Sequence, residues 1–205
     1  KTCLQLIDIN PKPGPFLTCP TNTTEAACQT QTTINSKFTT WKNSVTYTGG
    51  CNPVLTIGPG SAPAACGGAT TVTYTVTSDC GSTTCAATFT VTNAPAVVLT
   101  CPTNQTEASC QTQSSIDSKF TTWKNSAFFT GGCNGVITNS GGSAPNHCGG
   151  STTITFTVNS DCEGPKTCTA TFTVTTAPAV TVTCPANQTE AACQSQSTID
   201  SKFTT

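Results

Sequence analysis

The chain reads as a mostly β protein: tandem β-sandwich domains, each with one inserted short α-helix and about three disulfides. Three observations predict this. A 22-residue stretch recurs three times, two runs in each full repeat alternate apolar residues with threonine, and fifteen cysteines return at matching places. Period-two alternation is the pattern of half-buried strands. Many short strands separated by turn residues indicate a sandwich.

The recurring stretch sets the organisation. Residues 19–40 read CPTNTTEAACQTQTTINSKFTT, residues 101–122 read CPTNQTEASCQTQSSIDSKFTT, and residues 184–205 read CPANQTEAACQSQSTIDSKFTT. The copies start at Cys19, Cys101 and Cys184, a period of 82 or 83 residues, which suits one small domain per repeat. The expected division is 1–18 as the last strand of a preceding repeat, 19–95 and 96–178 as whole repeats, and 179–205 as the start of a third. Cys3 lies 16 residues before Cys19, as Cys85 does before Cys101 and Cys168 before Cys184. The third copy stops where the others continue with Trp-Lys-Asn-Ser (41–44 and 123–126). Both ends are therefore expected to fall inside a repeat of a longer array.

Within a repeat, the first expected strand is 97–101, ended by Pro102, with counterparts at 16–19 and 180–184. The recurring stretch follows. Ala27, Gln31, Ile34, Phe38 and Trp41 fall at helical spacing, as do Ile116, Phe120 and Trp123, so one apolar stripe of a helix is expected. Two starts are open: a capping box of Asn22 with Glu25 (and Asn104 with Glu107, Asn187 with Glu190), or a later start near Thr32 or Thr33. A strand at 44–48 and 126–130 ends at Gly-Gly-Cys. A loop-rich section then runs over 52–68 and 134–150, with short strands expected at 54–57 and 135–138. Val72, Tyr74 and Val76 alternate with threonines, and Ala87, Phe89 and Val91 alternate after a loop at 81–84. Ile154, Phe156 and Val158, then Ala170, Phe172 and Val174, repeat the pattern around a loop at 163–167. Each pair reads as a hairpin. The linkers, Asn93-Ala-Pro-Ala and Thr176-Ala-Pro-Ala, are short, and their prolines restrict the backbone. A stiff rod is expected.

The cysteines number six in each full repeat, two in the third copy, and Cys3. Zinc favours CxxC or HxxxH spacings, and neither occurs; regular even counts in small domains signal disulfides formed outside the cytosol. The candidates are Cys19, Cys28, Cys51, Cys66, Cys80, Cys85, Cys101, Cys110, Cys133, Cys148, Cys162, Cys168, Cys184 and Cys193. Of the fifteen connectivities open to six cysteines, the hairpin favours Cys80–Cys85 and Cys162–Cys168. Cys51–Cys66 and Cys133–Cys148 would staple the loop-rich section, leaving Cys19–Cys28 and Cys101–Cys110.

Composition excludes several functions. Charged residues make up 8%, net charge is −1, and every basic residue is Lys, so there is no nucleic-acid footprint. No stretch is apolar for long enough to span a membrane, and no signal peptide is visible. No cofactor or metal is expected, and the chain is not expected to be an enzyme: no Ser/His/Asp or Cys/His set recurs between repeats. Several residue sets invite a functional reading and have a plainer one. Asn22-Thr23-Thr24, Asn104-Gln-Thr106 and Asn187-Gln-Thr189 are sequons, but the Asn also suits a turn or cap. The helix Trp and Phe would serve as a sugar platform, yet at this spacing they read as core. His147 stands where the first repeat has Ala65 and reads as a loop residue. Asp79 and Asp161 would suit calcium, which wants more carboxylates than are present. The Gly-Gly pairs are turns. The outward row of Thr71, Thr73, Thr75 and Thr77 beside Thr88, Thr90 and Thr92 would suit ice or carbohydrate, but threonine's strand propensity also explains it.

The run TTVTYTVTSDCGSTTCAATFTVT, followed by Thr-Cys-Pro, resembles a hyalin-repeat-like (HYR-like) domain, which implies an immunoglobulin-like sandwich. The ordered pattern CPxNQTEAxCQTQ, IDSKFTTW, GGCN, CGGSTTxTFTVxSDC is similar to tandem repeats of very large surface adhesins of Flavobacteria and other Bacteroidetes. The resemblance implies type IX secretion and a role in adhesion, gliding motility or surface filaments, and carries over no site residues. Residues 4–18 depart from it, with LQLIDINPKPGPFL in place of the Thr-rich strand. The expectation is a structural and adhesive stalk on a cell surface. Its partners are neighbouring repeats of the same chain, other copies in a filament, and surface glycans. The alternatives are the shaft of an extracellular pilus-like fibre, with strand addition as its physical route, and a carbohydrate- or ice-binding module.

Overall fold

A long hairpin is the base of each repeat. The computed structural model describes residue 5 and residues 12–203; Cys3 lies outside them. In chain order the first repeat contains β1 (Phe16–Thr18), β2 (Thr23–Glu25), α1 (Gln31–Lys42), β3 (Thr46–Thr48), β4 (Val54–Ile57), β5 (Gly68–Ser78) and β6 (Gly81–Val91). The second repeats this with β7 (Val98–Thr100), β8 (Gln105–Glu107), α2 (Gln113–Lys124), β9 (Phe128–Thr130), β10 (Val136–Asn139), β11 (Gly150–Ser160) and β12 (Glu163–Val174). The third copy contributes α3 (Gln196–Phe203).

Alternation puts Val72, Tyr74, Val76, Ala87, Phe89 and Val91 on one face of the hairpin, all buried, and threonines on the other. β4 adds antiparallel to β5, and β2 adds parallel to β6, giving a four-stranded sheet in the order β2-β6-β5-β4. The second repeat has the equivalent order β8-β12-β11-β10. Opposite the apolar face lie the helix and a two-stranded ribbon, β1 with β3 or β7 with β9. The chain is thus mostly β, two tandem sandwich domains with one short helix each. Their second layer is helix plus ribbon, so the threonine face stays open.

The helix forms because its stripe is apolar and its ends are capped. Ile34, Phe38 and Trp41 are buried against the sheet, as are Ile116, Phe120 and Trp123. The Phe38 ring meets Phe89 edge-on at 5.5 Å, and Phe120 meets Phe172 likewise. Trp41 Nε1 donates to the Thr21 carbonyl at 2.8 Å, so the indole is buried with its one donor satisfied. The N-cap is Thr30, whose hydroxyl accepts from the Thr33 N–H. The capping-box start at Asn22 and Glu25 does not occur. Glu25 lies in β2, and Asn22 Oδ1 instead accepts from the Thr88 N–H at 2.9 Å, pinning β2 beside β6.

Two other expectations are corrected. The β5–β6 loop is two residues, Asp79 and Cys80, with Ser78 paired to Gly81, shorter than the expected four-residue loop. The second hairpin turns likewise at Asp161 and Cys162. In the third copy the strand expected at 180–184 is absent: Val180 and Val182 are exposed, and α3 buries no residue. In the first two repeats that strand pairs with the one after the helix, which has no counterpart among the 205 residues.

Candidate functional site

Two kinds of disulfide organise the molecule. The first kind clamps a repeat's first strand to its last. Cys19, just after β1, bonds Cys85 in β6, and Cys101, after β7, bonds Cys168 in β12. Cys85 sits opposite Tyr74 in the hairpin, on the buried face, so its sulfur points at the ribbon that covers the core.

The second kind crosses from one repeat to the next. Cys28 bonds Cys133, and Cys66 bonds Cys162. Cys28 leaves β2 with φ of +66°, an uncommon backbone state for a residue with a side chain, and it stands exposed at the end of the first repeat. Cys66 lies beside the start of β5 at that same end. The second repeat meets them with Cys133, in the Gly-Gly-Cys-Asn turn, and Cys162, at the hairpin tip. A backbone bond from Asp161 N–H to the Cys133 carbonyl at 3.0 Å and a bond from Asn134 Nδ2 to Asp161 Oδ2 at 2.8 Å hold these two together.

The linker is pinned to both sides. Ala94 N–H donates to the Cys66 carbonyl at 2.8 Å in the first repeat, and Gly132 N–H in the second donates to the Pro95 carbonyl at 2.8 Å. Val97, expected to open the next strand, is instead a buried linker residue whose N–H donates to Glu163 Oε2 at 2.7 Å. Lys166 at 2.6 Å, then the Val97 N–H, hold the Glu163 carboxyl below the usual carboxylate range. Gly131 must be glycine here: its φ is +74°, and a Cβ would strike the Ala96 carbonyl. The junction before the first repeat has the same contact, Gly50 N–H to the Pro13 carbonyl at 3.3 Å.

The expected pairings are therefore corrected. Cys80 bonds Cys51, and Cys85 bonds Cys19; Cys80–Cys85 and Cys162–Cys168 do not form, because the two-residue turn puts Cys80 at the tip and Cys85 well down the strand. Cys51–Cys66 and Cys133–Cys148 do not form because the 11-residue strand β5 separates the ends of a repeat by roughly 36 Å at ~3.3 Å per residue. Cys66 sits at one pole and Cys51 at the other. Cys19–Cys28 and Cys101–Cys110 do not form either; Cys110, Cys148, Cys184 and Cys193 are free and exposed. Among the described residues three disulfides thus lie within repeats and two between them, in place of about three in each. The length of the β5 run was the signal that would have separated the poles. The Glu-Gly-Pro-Lys-Thr run at 163–167, one residue longer than its counterpart at 81–84 and the one that carries Glu163, was the signal for the linker contact.

The other residues singled out in the sequence serve structure. Glu25 and Glu107 each take a helix lysine, Lys37 at 2.6 Å and Lys119 at 2.5 Å, tying β2 or β8 to its helix. Lys119, then Gln105 and Gln111, lower the Glu107 carboxyl to about 2. Asn104 Oδ1 accepts from the Thr171 N–H, as Asn22 does from Thr88. Asp79 takes Asn52 Nδ2 at 2.8 Å, and among the described residues no three of His, Cys, Asp and Glu converge as a metal site. Thr71 and Thr88 share a hydroxyl hydrogen bond at 2.9 Å on the open face, as do Thr153 and Thr171 at 2.8 Å. His147 Nδ1 lies 3.6 Å from Cys148 Sγ. Among the described residues no helix is long and apolar enough to cross a membrane.

No protein-family model matches the chain, and no curated protein matches it. Among solved structures, Drosophila N-cadherin EC1-4 is similar over 82% of this chain, at 13% identity and a TM-score of 0.31. The chain spans 50% of that cadherin chain.

Proposed function

We propose that the chain is a load-bearing segment of an extracellular stalk, a structural and adhesive part of a large repetitive bacterial surface protein, with its repeats at 19–95 and 96–178. Disulfides of this number belong to an oxidising compartment outside the cytosol. The observation that carries the reading is the pair of first-to-last-strand clamps. Tension entering at β1 crosses from Cys19 to Cys85, runs along β6 and the linker into β7, then crosses from Cys101 to Cys168. The helix and the loop-rich section lie off this path, so pulling does not unravel them. The two crossing disulfides and the pinned linker add bending stiffness, which converts repetition into reach. Neighbouring repeats of the same chain are the partners this arrangement serves, and binding to surface glycans belongs to the adhesive part of the reading.

Single-molecule pulling on the 205-residue chain tests it. The clamps enclose separations of 66 and 67 residues, together roughly 460 Å of extended chain at ~3.5 Å per residue. Oxidised protein is expected to withhold that length and reduced protein to release it. Release of the full length from oxidised protein would refute the load path.

A further inference from the structure

The two crossing disulfides converge on one small frame of the second repeat. Cys133 takes Cys28, and Cys162 takes Cys66. Cys133 and Cys162 are themselves neighbours. Ser160 Oγ accepts from the Cys133 N–H at 2.9 Å and donates to the Cys133 carbonyl at 3.0 Å. The Asp161 N–H donates to the same carbonyl at 3.0 Å. Asn134, with φ of +52°, closes the frame through its 2.8 Å bond from Nδ2 to Asp161 Oδ2.

This frame holds the two cysteines within reach of one another. The first repeat builds the same frame: Asp79 N–H donates to the Cys51 carbonyl at 2.9 Å, Asn52 Nδ2 donates to Asp79 Oδ2 at 2.8 Å, and Asn52 has φ of +52°. On it the Cα atoms of Cys51 and Cys80 stand 5.6 Å apart and the two are bonded. That separation lies inside the range a disulfide accepts, about 4.4–6.8 Å. The frame therefore accommodates a Cys133–Cys162 bond by side-chain rotation alone. Access to the crossing bonds is one-sided. Both open onto a cleft of about 370 Å³ lined by Cys28, Gln31, Ala65, Cys66, Asp161 and Cys162. Cys28 is exposed, whereas Cys133 is 2% exposed. A thiol arriving from solvent meets the Cys28 sulfur, and Cys133 is the sulfur it displaces.

We propose that the junction is a redox-sensitive joint in which one equivalent of a dithiol reductant opens both crossing bonds, because Cys133 and Cys162 close on each other. In the first step a thiolate of the reductant attacks Cys28. The reductant–Cys28 bond forms, the Cys28–Cys133 bond breaks, and Cys133 leaves as a thiolate. Cys133 then attacks Cys162. The Cys133–Cys162 bond forms, the Cys66–Cys162 bond breaks, and Cys66 leaves as a thiolate that takes up the proton lost by the reductant's first thiol. In the third step the reductant's second thiol attacks its own sulfur bonded to Cys28. The reductant closes as an internal disulfide, and Cys28 leaves as a thiolate that takes up the second proton. Two electrons have passed to the protein and one disulfide is lost from it, yet no bond crosses the junction. The hydrogen bonds of the linker, Ala94 to Cys66 and Gly132 to Pro95, remain, so the repeats stay attached while the joint loses its staples. A thiol thereby sets the stiffness of the rod. This use rests on the stalk reading, whereas the chemistry rests only on the junction geometry.

The test is stepwise reduction of the oxidised 205-residue chain with dithiothreitol, its free thiols alkylated beforehand. A second alkylating agent of different mass then marks the new thiols for peptide mapping. The expected result is alkylated Cys28 and Cys66 in equal amounts, a new Cys133–Cys162 peptide, and roughly tenfold less alkylation at Cys133 than at Cys28. C66S/C162A, which removes the second bond, is expected to give alkylated Cys28 and Cys133 in equal amounts instead. Equal alkylation of Cys28 and Cys133 in the unsubstituted chain, with no Cys133–Cys162 peptide, would overturn the proposal. Crossing peptides that survive an excess of dithiothreitol, or that are absent from the oxidised chain, would overturn it as well. The Cys19–Cys85 and Cys101–Cys168 clamps take no part in the exchange, so the pulling result stands or falls separately.

Discussion

Removing the Cys28–Cys133 bond is the most informative perturbation of stability. The bond spans 105 residues, but with the Cys19–Cys85 and Cys101–Cys168 clamps intact the loop it closes is shorter, and the chain-entropy relation assigns it roughly 4 kcal/mol. The appropriate variant is Cys28→Ser, since that residue is exposed, with Cys133→Ala, since Cys133 is 2% exposed and a buried hydroxyl would add its own penalty. Urea unfolding under non-reducing conditions, read from Trp41 and Trp123, is the assay; both indoles sit in the cores. With an m-value of about 2 kcal/mol/M the midpoint should fall by roughly 2 M. The control is C51S/C80S, whose bond spans 29 residues and carries about 3.6 kcal/mol by the same relation. A shift for C28S/C133A below about 0.5 M, or smaller than the control's, would refute the reasoning that the crossing bond restrains both repeats.

Other outcomes follow from single contacts. Phe38→Ala should destabilise the first repeat by about 3–5 kcal/mol, and Phe120→Ala the second by a similar amount, because each ring packs on a tryptophan and a sheet phenylalanine; thermal melts check both. Glu107 has its carboxyl lowered from 4.5 to about 2, so its contribution is present above pH 4.5 and lost as the pH falls from there to about 2. Lys119 is 42% exposed, which limits the pair to under about 1 kcal/mol. Glu107→Gln should lower stability by that amount at pH 7 and flatten the acid limb of a pH-dependent melt. Gly131→Ala should cost at least about 1 kcal/mol and reduce the yield of Cys66–Cys162 peptide, whereas Gly49→Ala, whose Cβ would lie 3.0 Å from the Gly14 carbonyl oxygen, should be milder.

The hairpins and the helix stripe were legible because they follow from periodicity alone. Val72, Tyr74 and Val76, like Ile34, Phe38 and Trp41, lie on the faces their spacing predicts. β2 was not legible, since Thr23, Thr24 and Glu25 form a strand only through parallel pairing with Phe89, Thr90 and Val91, more than sixty residues away. The cysteine wiring was misread for a related reason. Pairing by parity across the hairpin needed the turn length, and a two-residue turn moves Cys85 opposite Tyr74. An even count in each repeat also invites pairing within the repeat, yet four-residue linkers put the Cys66 pole of one repeat against the Cys162 tip of the next. Nothing in a single repeat's pattern states that its poles are shared.

The disulfide map of the oxidised chain tests the central claim most directly. Non-reducing proteolysis with mass spectrometry should yield linked peptides for Cys28–Cys133 and Cys66–Cys162 beside Cys19–Cys85 and Cys101–Cys168. Recovery of Cys51–Cys66 and Cys133–Cys148, or of Cys80–Cys85 and Cys162–Cys168, with no crossing peptide, would contradict it.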